Sequence, residues 1–218
     1  MNSIGIGIAG LGTVGAEVAK QLIKNKNYLE KKSGTELNLV AVSARNKSLD
    51  RGIDLKNIDW IDDAENIFNH KKVNLVVELI GGSEGVPLNL CKNTLQNGKS
   101  IVTANKAMLS AHGYDLAKIA EEKKVSIAYE AAVAGCIPII RSLRDGLSGT
   151  RIKSISGILN GTCNYILSAM REDGRAFADV LKEAQKLGYA EADPTFDIDG
   201  IDAAQKLSIL SAIAFGTS

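Results

Sequence analysis

The chain has 218 residues, of which 45% are hydrophobic and 23% are charged, and its formal net charge is +1 at pH 7. This composition is typical of a soluble globular protein, and the length allows one large domain or two small ones. A net charge so close to zero excludes the strongly basic surface on which nucleic-acid-binding and membrane-surface proteins depend. We therefore expect neither of these partners.

The three cysteines, Cys91, Cys136 and Cys163, are scattered along the chain and form no CxxC motif. This arrangement favours reduced thiols and a cytoplasmic location over a disulfide framework. No apolar run reaches the length of a transmembrane helix. The first strand pattern begins almost at Met1, so we expect no signal peptide.

The chain opens with a strand, a glycine-rich turn and a helix. Ile4, Ile6 and Ile8 alternate with small residues and predict a short buried strand, whereas apolar residues from 14 to 22 recur at helical spacing. Between these elements, glycines allow a tight turn, a close approach of the backbone to a pyrophosphate, and close packing of the helix on the strand. The candidate cofactor-binding residues of this turn are Gly10, Leu11, Gly12, Thr13, Val14 and Gly15. The alternative is a tight turn that binds no ligand.

The second predicted strand covers residues 37–43, with the sequence LNLVAVS. A domain that prefers NAD usually ends this strand with an acidic residue that binds the ribose hydroxyls, and no acid follows here. Arg45 stands close by instead, and a guanidinium suits a 2′-phosphate, which favours NADP over NAD. Arg45 as a solvated loop residue is the alternative.

Two further buried strands bring candidate residues to the same edge of the sheet. Residues 74–82 form a continuous apolar run that predicts a strand covered on both faces, with Ile80 and Gly81 beside the nicotinamide half of a cofactor. One helix later, another strand begins near Ser100 and is followed by Lys106. Ligands of open α/β sheets bind at the carboxyl ends of strands, so we expect Lys106 in the site unless it is a surface residue at a helix start.

The alternation of strands and helices indicates a mainly parallel, doubly wound α/β sheet in the first part of the chain. Residues 124–140 supply one more strand and then a turn interrupted by glycine. We place the domain boundary there, with a cofactor-binding domain at 1–132 and a substrate-binding and catalytic domain at 133–218.

The second part of the chain has a different pattern. Residues 150–160 alternate between apolar and polar side chains and predict a half-exposed strand. Helices are predicted at 161–173, at 177–188 and from residue 200 onwards, with Gly188 as the cap of the second. This mixture predicts an α+β domain.

An acidic stretch precedes the last helix. Asp199 is a candidate N-cap with Asp202 at the third helical position, and Asp202 shares one helix face with Lys206. The spacing of the acids does not fit a calcium loop. Two interpretations stay open: a surface ion pair worth roughly 0.2–0.5 kcal/mol, or a pocket in which carboxylates bind an ammonium group and the lysine meets an oxygen.

Five segments together resemble the homoserine dehydrogenase family, and the resemblance extends over essentially the whole chain. The segments are GLGTVG at 10–15, TANKAML at 103–109, YEAAVAGCIP at 129–138, GILNGTCNYIL at 157–167 and GYAEADPTFDIDGIDAAQK at 188–206. The resemblance implies a Rossmann-like sheet followed by part of an α+β substrate and dimerisation domain. It also implies reversible reduction of L-aspartate 4-semialdehyde to L-homoserine with NADPH or NADH, on the route to threonine, methionine and isoleucine.

The resemblance further implies roles for single residues. Lys206 matches the proton donor of the family, and Lys106 matches its second essential lysine, which also belongs to the cofactor site. Glu191 and Asp202 match substrate-binding carboxylates, and Asp197 matches a neighbouring acid of the same pocket.

Two more sites are implied in the same way. Gly188 matches the point at which the cofactor site meets the substrate loop. A sodium site built largely from backbone carbonyls is implied by the match of Glu130, Val133, Gly135 and Ile137. Members of the family normally continue well past this C-terminus, so we expect a truncated second domain here and a homodimer when the chain is full length.

Two other functions stay open beside this one. The first is a Rossmann-type reductase of another small aldehyde or hydroxy acid, against which the segments at 157–167 and 188–206 argue. The second is a nucleotide-binding module without catalysis. The joint presence of both lysines and of the three pocket acids argues against that second function.

Overall fold

The computed structural model describes residues 2–217, which divide into two compact units between Ile139 and Ile140. The sequence-based boundary between residues 132 and 133 lies slightly earlier. It falls within the short helix Glu130–Val133, which belongs to the first unit. No helix in the described part of the chain is both long enough and apolar enough to cross a membrane.

The first unit contains a six-stranded, fully parallel sheet with the strand order β3-β2-β1-β4-β5-β6, so the predicted parallel sheet is confirmed. Its strands are β1 (Asn2–Ala9), β2 (Thr35–Ser43), β3 (Asp59–Trp60), β4 (Leu75–Glu78), β5 (Ser100–Thr103) and β6 (Ile127–Ala128). Its helices are α1 (Thr13–Lys24), α2 (Lys26–Ser33), α3 (Val86–Gln96), α4 (Lys106–Lys123) and α5 (Glu130–Val133), with a 3₁₀ helix at Ala64–Asn69.

Two apolar layers cover the two faces of this sheet. Ile8 in β1 and Val42 in β2 are fully buried in one layer with side chains of α1, and Leu90 and Met108 are fully buried in the other with side chains of α3 and α4. Burial on both faces explains why the strands read as nearly continuous apolar runs. The sheet therefore forms the core that positions the loops at its carboxyl edge.

The strand order changes direction at β1. The chain proceeds from β1 to β2 and β3 on one side, and then crosses to β4, β5 and β6 on the other side. In open α/β sheets such a switch point leaves a crevice between the diverging loops, in which ligands bind. The loops after β1 and β4 border this crevice, and the glycine-rich turn is one of them.

The second unit is helical in its described residues. The short helix α6 (Ile139–Arg141) spans the division, and the elements that follow are a π-helical turn (Ser142–Gly146), α7 (Gly161–Asp173), α8 (Phe177–Lys186), α9 (Thr195–Ile198) and α10 (Ile201–Phe215). A small core of Ile166, Val180, Ala184 and Ala190 joins α7 to α8. The helix predicted at 161–173 is confirmed.

The strand predicted at residues 150–160 is wrong, because residues 151–160 have neither helical nor strand structure. A strand needs a neighbouring strand to receive its backbone hydrogen bonds. None of the described residues after 140 lies in a strand, so this alternating pattern has no partner there.

The predicted cap of the last helix is also wrong. Asp199 ends the short helix α9 in a right-handed helical conformation, with φ −81° and ψ 0°, whereas an N-cap residue lies outside that conformation. Gly200 is the N-cap of α10 and has φ +75°, a left-handed conformation that glycine adopts without strain. Asp202 is consequently the second residue of α10 rather than the third.

Candidate functional site

The glycine-rich turn has the geometry of a phosphate-binding turn. Gly10 has φ +99°, and a Cβ on it would lie 2.5 Å from the carbonyl oxygen of Leu79. A Cβ on Gly15 would lie 1.8 Å from the carbonyl oxygen of Gly10, whereas a Cβ on Gly12 would meet nothing within 4 Å. Helix α1 has no side-chain cap, so its first N–H groups are available to an anion. These features fit a pyrophosphate.

The loop after β2 contains Arg45, whose side chain is exposed. A second arginine, Arg51, was not predicted from the sequence. It donates hydrogen bonds to three backbone carbonyl oxygens. Its Nε donates a hydrogen bond to the carbonyl oxygen of Leu11, at 2.9 Å. Its terminal nitrogens donate to the carbonyl oxygens of Leu49 and Asn46, at 2.8 and 2.7 Å. Arg51 thus ties this loop to the glycine-rich turn.

Ile80, Gly81 and Lys106 lie at the carboxyl ends of neighbouring strands, as the sequence predicts. Ile80 and Gly81 follow β4, and their N–H groups donate to the carboxylate of Glu78, at 2.7 and 3.3 Å. Lys106 is the first residue of α4, whose N-cap side chain, that of Asn105, accepts from the backbone of the first turn. Glu78 and Asn105 were missed, although an acid within an apolar run is a visible signal.

In the second unit, Lys206 and Asp202 form the ion pair that their spacing predicts. The two side chains face each other across one turn of α10, with Nζ 2.7 Å from Oδ2. The ammonium also donates to the carbonyl oxygen of Leu159, at 2.8 Å. Only 20% of the lysine side chain and 8% of the aspartate side chain are exposed. The pair is therefore largely buried and not a solvated surface pair, and its part in a substrate pocket stays a prediction.

Asn160 connects the acids of this cluster to helix α7. Its Nδ2 donates to Asp197 Oδ1 at 2.7 Å and to Asp202 Oδ2 at 2.9 Å. Its Oδ1 accepts from the backbone N–H of Cys163 and caps the helix. The hydroxyl of Thr162 lies 2.9 Å from Asp197 Oδ2 and donates there or to a backbone carbonyl. Sequence reasoning missed Asn160 and Thr162, because their partners are distant in the chain.

Cys163 lies at the margin of this cluster. Its Sγ donates to the carbonyl oxygen of Asp197 at 3.1 Å. Burial, with the nearby carboxylates of Asp197 and Asp202, raises the pKa of the Cys163 thiol above its ordinary value. The residue therefore stays a neutral thiol near neutral pH.

Glu191 and Gly188 lie in the turn between α8 and α9. The Glu191 side chain is exposed, and its backbone carbonyl accepts from the side chain of Gln185 at 3.0 Å. Gly188 has φ +79° and borders a cavity of about 450 Å³. The cavity is lined by Gly161, Thr162, Tyr165, Gly188 and Tyr189. A space of this size beside the acids can hold a small polar molecule.

The predicted sodium residues lie in and just after α5. Glu130 and Val133 belong to the helix, and Gly135 and Ile137 are exposed in the following turn, where Cys136 has the left-handed φ of +64°. No cluster of three or more histidine, cysteine, aspartate or glutamate side chains suited to a metal occurs in residues 2–217. The donor set here is one carboxylate and several carbonyls, and such oxygens fit a hard cation.

Comparison with known protein families matches both parts of the chain. A family model described as "Homoserine dehydrogenase, NAD binding domain" matches residues 10–130, and one described as "Homoserine dehydrogenase" matches residues 138–218. The chain belongs to the homoserine dehydrogenase family. The first match contains the glycine-rich turn, Glu78 and Lys106, and the second contains the Asp202–Lys206 pair.

Curated homoserine dehydrogenases agree with this assignment. The chain is 49% identical to the homoserine dehydrogenase of Neisseria gonorrhoeae over 217 residues, and 48% identical to that of Pseudomonas aeruginosa over 218 residues. These alignments cover 100% and 99% of this chain but 49% of each relative. The chain thus spans about half the length of the curated relatives it matches.

Solved structures of the family share the fold. A homoserine dehydrogenase from Thiobacillus denitrificans superposes with a TM-score of 0.89 at 46% identity, over 100% of this chain and 50% of that one. A hyperthermophilic archaeal homoserine dehydrogenase in complex with NADPH gives 0.83 at 29% identity, over 99% of this chain and 70% of that one. The Rossmann-like fold is therefore that of homoserine dehydrogenases.

Proposed function

We propose that this chain forms the cofactor-binding and catalytic part of a homoserine dehydrogenase, an NAD(P)-dependent oxidoreductase acting on a CH–OH group. Its reaction is the reversible reduction of L-aspartate 4-semialdehyde to L-homoserine, in the biosynthesis of threonine, methionine and isoleucine. Family membership supports the reaction class. The single observation that carries the proposal is the partly buried Asp202–Lys206 pair, with Nζ 2.7 Å from Oδ2.

The geometry of Lys206 suits a proton donor. An ammonium group has three N–H bonds, and those of Lys206 have two protein acceptors, Asp202 Oδ2 and the carbonyl oxygen of Leu159. The third N–H can point at a substrate oxygen. Because both acceptors are fixed by the fold, the direction of this remaining bond is fixed as well.

The reaction then follows from the charges. When bound, a reduced nicotinamide would supply a hydride for the aldehyde carbon. The Lys206 ammonium stabilises the negative charge that develops on the aldehyde oxygen and donates one proton to it, which yields the alcohol and a neutral amine. In the reverse direction the neutral amine accepts that proton. Lys106, at the carboxyl edge of the sheet, is proposed as the second lysine of the reaction.

The acids divide between two tasks. Asp202 orients Lys206, and Asp197 is held with it by Asn160. Glu191 has an exposed carboxylate, and we assign to it the ammonium group of the amino-acid substrate. All three remain proposed substrate-site residues; the 450 Å³ cavity is lined by other residues, of which Thr162 contacts Asp197.

The cofactor and ion are proposed from the residues that would hold them. Gly10 to Gly15 would bind the pyrophosphate, and Arg45 would bind a 2′-phosphate, which favours NADP over NAD. A relative solved in complex with NADPH supports this choice. The oxygens around Glu130 would bind sodium, so replacement of sodium by tetramethylammonium should lower turnover. We further propose a homodimer in the cytoplasm for the full-length protein.

The test follows NADPH formation from L-homoserine and NADP at mildly alkaline pH. The 218-residue chain is compared with a version lengthened at its C-terminus to the length of its relatives. Turnover in either version supports the proposal, and turnover in the longer one alone means that later residues complete the site. Cofactor binding without turnover of L-homoserine in the longer version would contradict it, and would favour another substrate or a non-catalytic module.

Lys206→Ala in the active version should reduce kcat by about 10²–10⁴-fold, the usual contribution of a positioned general acid. NADPH affinity should stay unchanged. Lys182→Ala is the matched control, because Lys182 is an exposed lysine of α8. A kcat near the unsubstituted value for Lys206→Ala would refute the assigned role.

A further inference from the structure

Glu78 is a buried acid that the proposed chemistry does not use. It is the last residue of β4, its side chain is fully buried, and it stands in register with Ala9 of β1 and Thr103 of β5. This position lies at the topological switch point of the sheet. Burying a carboxylate is costly unless hydrogen-bond donors surround it, so the identity of these donors indicates what the acid is for.

The donors come from the loop after β4 and from the end of β5. Oε1 accepts from the backbone N–H groups of Ile80 and Gly81, at 2.7 and 3.3 Å. Oε2 accepts from the hydroxyl of Thr103 at 2.5 Å. The strand ladders between β1, β4 and β5 are already paired through their backbones. The carboxylate therefore adds no bond to the sheet itself, and what it fixes is the loop.

A second set of bonds closes a ring around the same loop. The backbone N–H of Asn105 donates to the Thr103 hydroxyl oxygen at 3.0 Å. The Asn105 side chain donates to the carbonyl oxygen of Gly82 at 2.7 Å and accepts from the N–H of Met108 at 3.1 Å. The loop and the first turn of α4, which carries Lys106, are thus one hydrogen-bonded unit with Glu78 at its centre.

We infer that Glu78 is a positioning residue for the nicotinamide end of the cofactor site. Its carboxylate holds the backbone of Ile80 and Gly81 and, through Thr103, the first turn of α4. The inference rests on the proposed function in one respect, namely that a nicotinamide cofactor occupies this crevice. Because its side chain is fully buried, Glu78 would act through this loop and not by contact with substrate or cofactor.

The test compares two ligands that differ only at the nicotinamide end. NADPH contains the nicotinamide, and 2′-phospho-ADP-ribose lacks it; NADH and ADP-ribose form the corresponding pair without the 2′-phosphate. Dissociation constants are measured by calorimetry on the 218-residue chain, whose first unit contains every residue of the ring. Glu78→Gln should raise the Kd of NADPH about tenfold, because glutamine has only one acceptor oxygen and either the Thr103 hydroxyl or the loop N–H groups lose their acceptor. The Kd of the fragment should change less than about twofold.

Two further variants separate positioning from folding. Thr103→Val removes the hydroxyl and should reproduce the selective loss of NADPH affinity, whereas Thr103→Ser retains the hydroxyl and should restore it. Glu122→Gln, at an exposed acid near the end of α4, is the matched control and should leave both constants unchanged. If Glu78→Gln does not fold, the valine and serine variants carry the test alone.

Three results are informative in different ways. A selective loss of dinucleotide affinity supports the inference. An equal loss of affinity for the dinucleotide and for the fragment would show that Glu78 only stabilises the fold. It would overturn the inference and leave the proposed function standing. Failure of both the 218-residue chain and the lengthened version to bind NADPH or NADH would overturn the proposed function and the inference with it.

Discussion

At the scale of single residues, Asn160 determines how the acids of the second unit are arranged. Its side chain donates to Asp197 and Asp202 and at the same time caps α7. Because Asp202 accepts from Asn160 and Lys206 through the same oxygen, Oδ2, any movement of the asparagine alters the acceptor that orients the lysine. An uncharged residue thus positions a charged pair.

We predict that Asn160→Ala lowers the free energy of unfolding by about 2 kcal/mol, through loss of a helix cap and of a donor to one buried and one partly buried carboxylate. Urea denaturation followed by circular dichroism measures this change. Asn164→Ala is the control, because Asn164 is an exposed asparagine of the same helix. Equal effects of the two substitutions would show that the network around Asp202 contributes nothing to stability.

At the scale of elements, α7 and α8 are joined by a polar link beside their small apolar core. The hydroxyl of Tyr165 donates to Glu183 at 2.5 Å, and Arg175 forms an ion pair with the same carboxylate. The bond from Arg175 and then the bond from Tyr165 hold the pKa of Glu183 below its ordinary value. The packing of these two helices is therefore sensitive to acid.

The direction of this sensitivity follows from the lowered pKa. A carboxyl group with a lower pKa in the folded state stabilises the fold above its unfolded pKa of about 4.3, and loses that contribution as the pH falls through the folded pKa. Arg175→Gln removes the main cause of the shift. We expect the difference in Tm between about pH 7 and about pH 3 to be smaller in this variant than in the unsubstituted chain. Arg171→Gln, at an exposed arginine of α7, should retain the full difference.

The loop after β2 depends on Arg51 for its shape. The guanidinium binds three backbone carbonyls, including that of Leu11 in the glycine-rich turn, and lies 5.8 Å from the ring of Trp60. The loop also carries Arg45, the residue proposed to bind the 2′-phosphate. We predict that Arg51→Met lowers the preference for NADPH over NADH, measured as the ratio of their dissociation constants.

Arg51→Lys should not restore this preference, because an ammonium group lacks the planar fork that reaches several carbonyls at once. Lys56→Met, at an exposed lysine that follows the same loop, is the control. If Arg51→Met weakens both cofactors by one factor, the arginine supports the turn as a whole and has no part in cofactor choice.

Elements with a clear local signal were predictable from the sequence, whereas one strand without a partner and one helix cap were not. The glycine-rich turn and α7 follow from spacing, turn chemistry and a helical period that neighbouring residues supply. The strand predicted at 150–160 has the right alternation but no partner strand in the described residues of its unit. The cap of α10 was misplaced because Pro194 starts α9, which makes Asp199 helical.

At the scale of the whole molecule, the same rule applies to the candidate site. Asp202 and Lys206 are four residues apart, so their contact could be read from the sequence. Asn160 lies 42 residues from Asp202, and Glu78 lies 25 residues from Thr103. Such polar pairs form only when the fold brings distant segments together. The sequence shows an asparagine after an apolar run and an acid within another apolar run. It does not show which distant residues these two side chains contact.

Each of the two compact units has its own core, and a single tryptophan lies in only one of them. Trp60 is in β3 of the first unit, close to the loop that Arg51 organises, and it is the sole tryptophan of the sequence. Tryptophan fluorescence therefore reports unfolding of the first unit, whereas far-ultraviolet circular dichroism reports the helices of both units.

A cofactor that binds the folded first unit should stabilise that unit by mass action. At a concentration about 100 times its Kd, NADP should add about 2.7 kcal/mol to the free energy of unfolding of the unit that binds it. We predict that NADP raises the Tm reported by Trp60, while part of the circular dichroism transition, from α7, α8 and α10, keeps its original midpoint. A single transition that both probes report and that shifts as a whole would contradict this, because it would mean that the two cores unfold as one cooperative body.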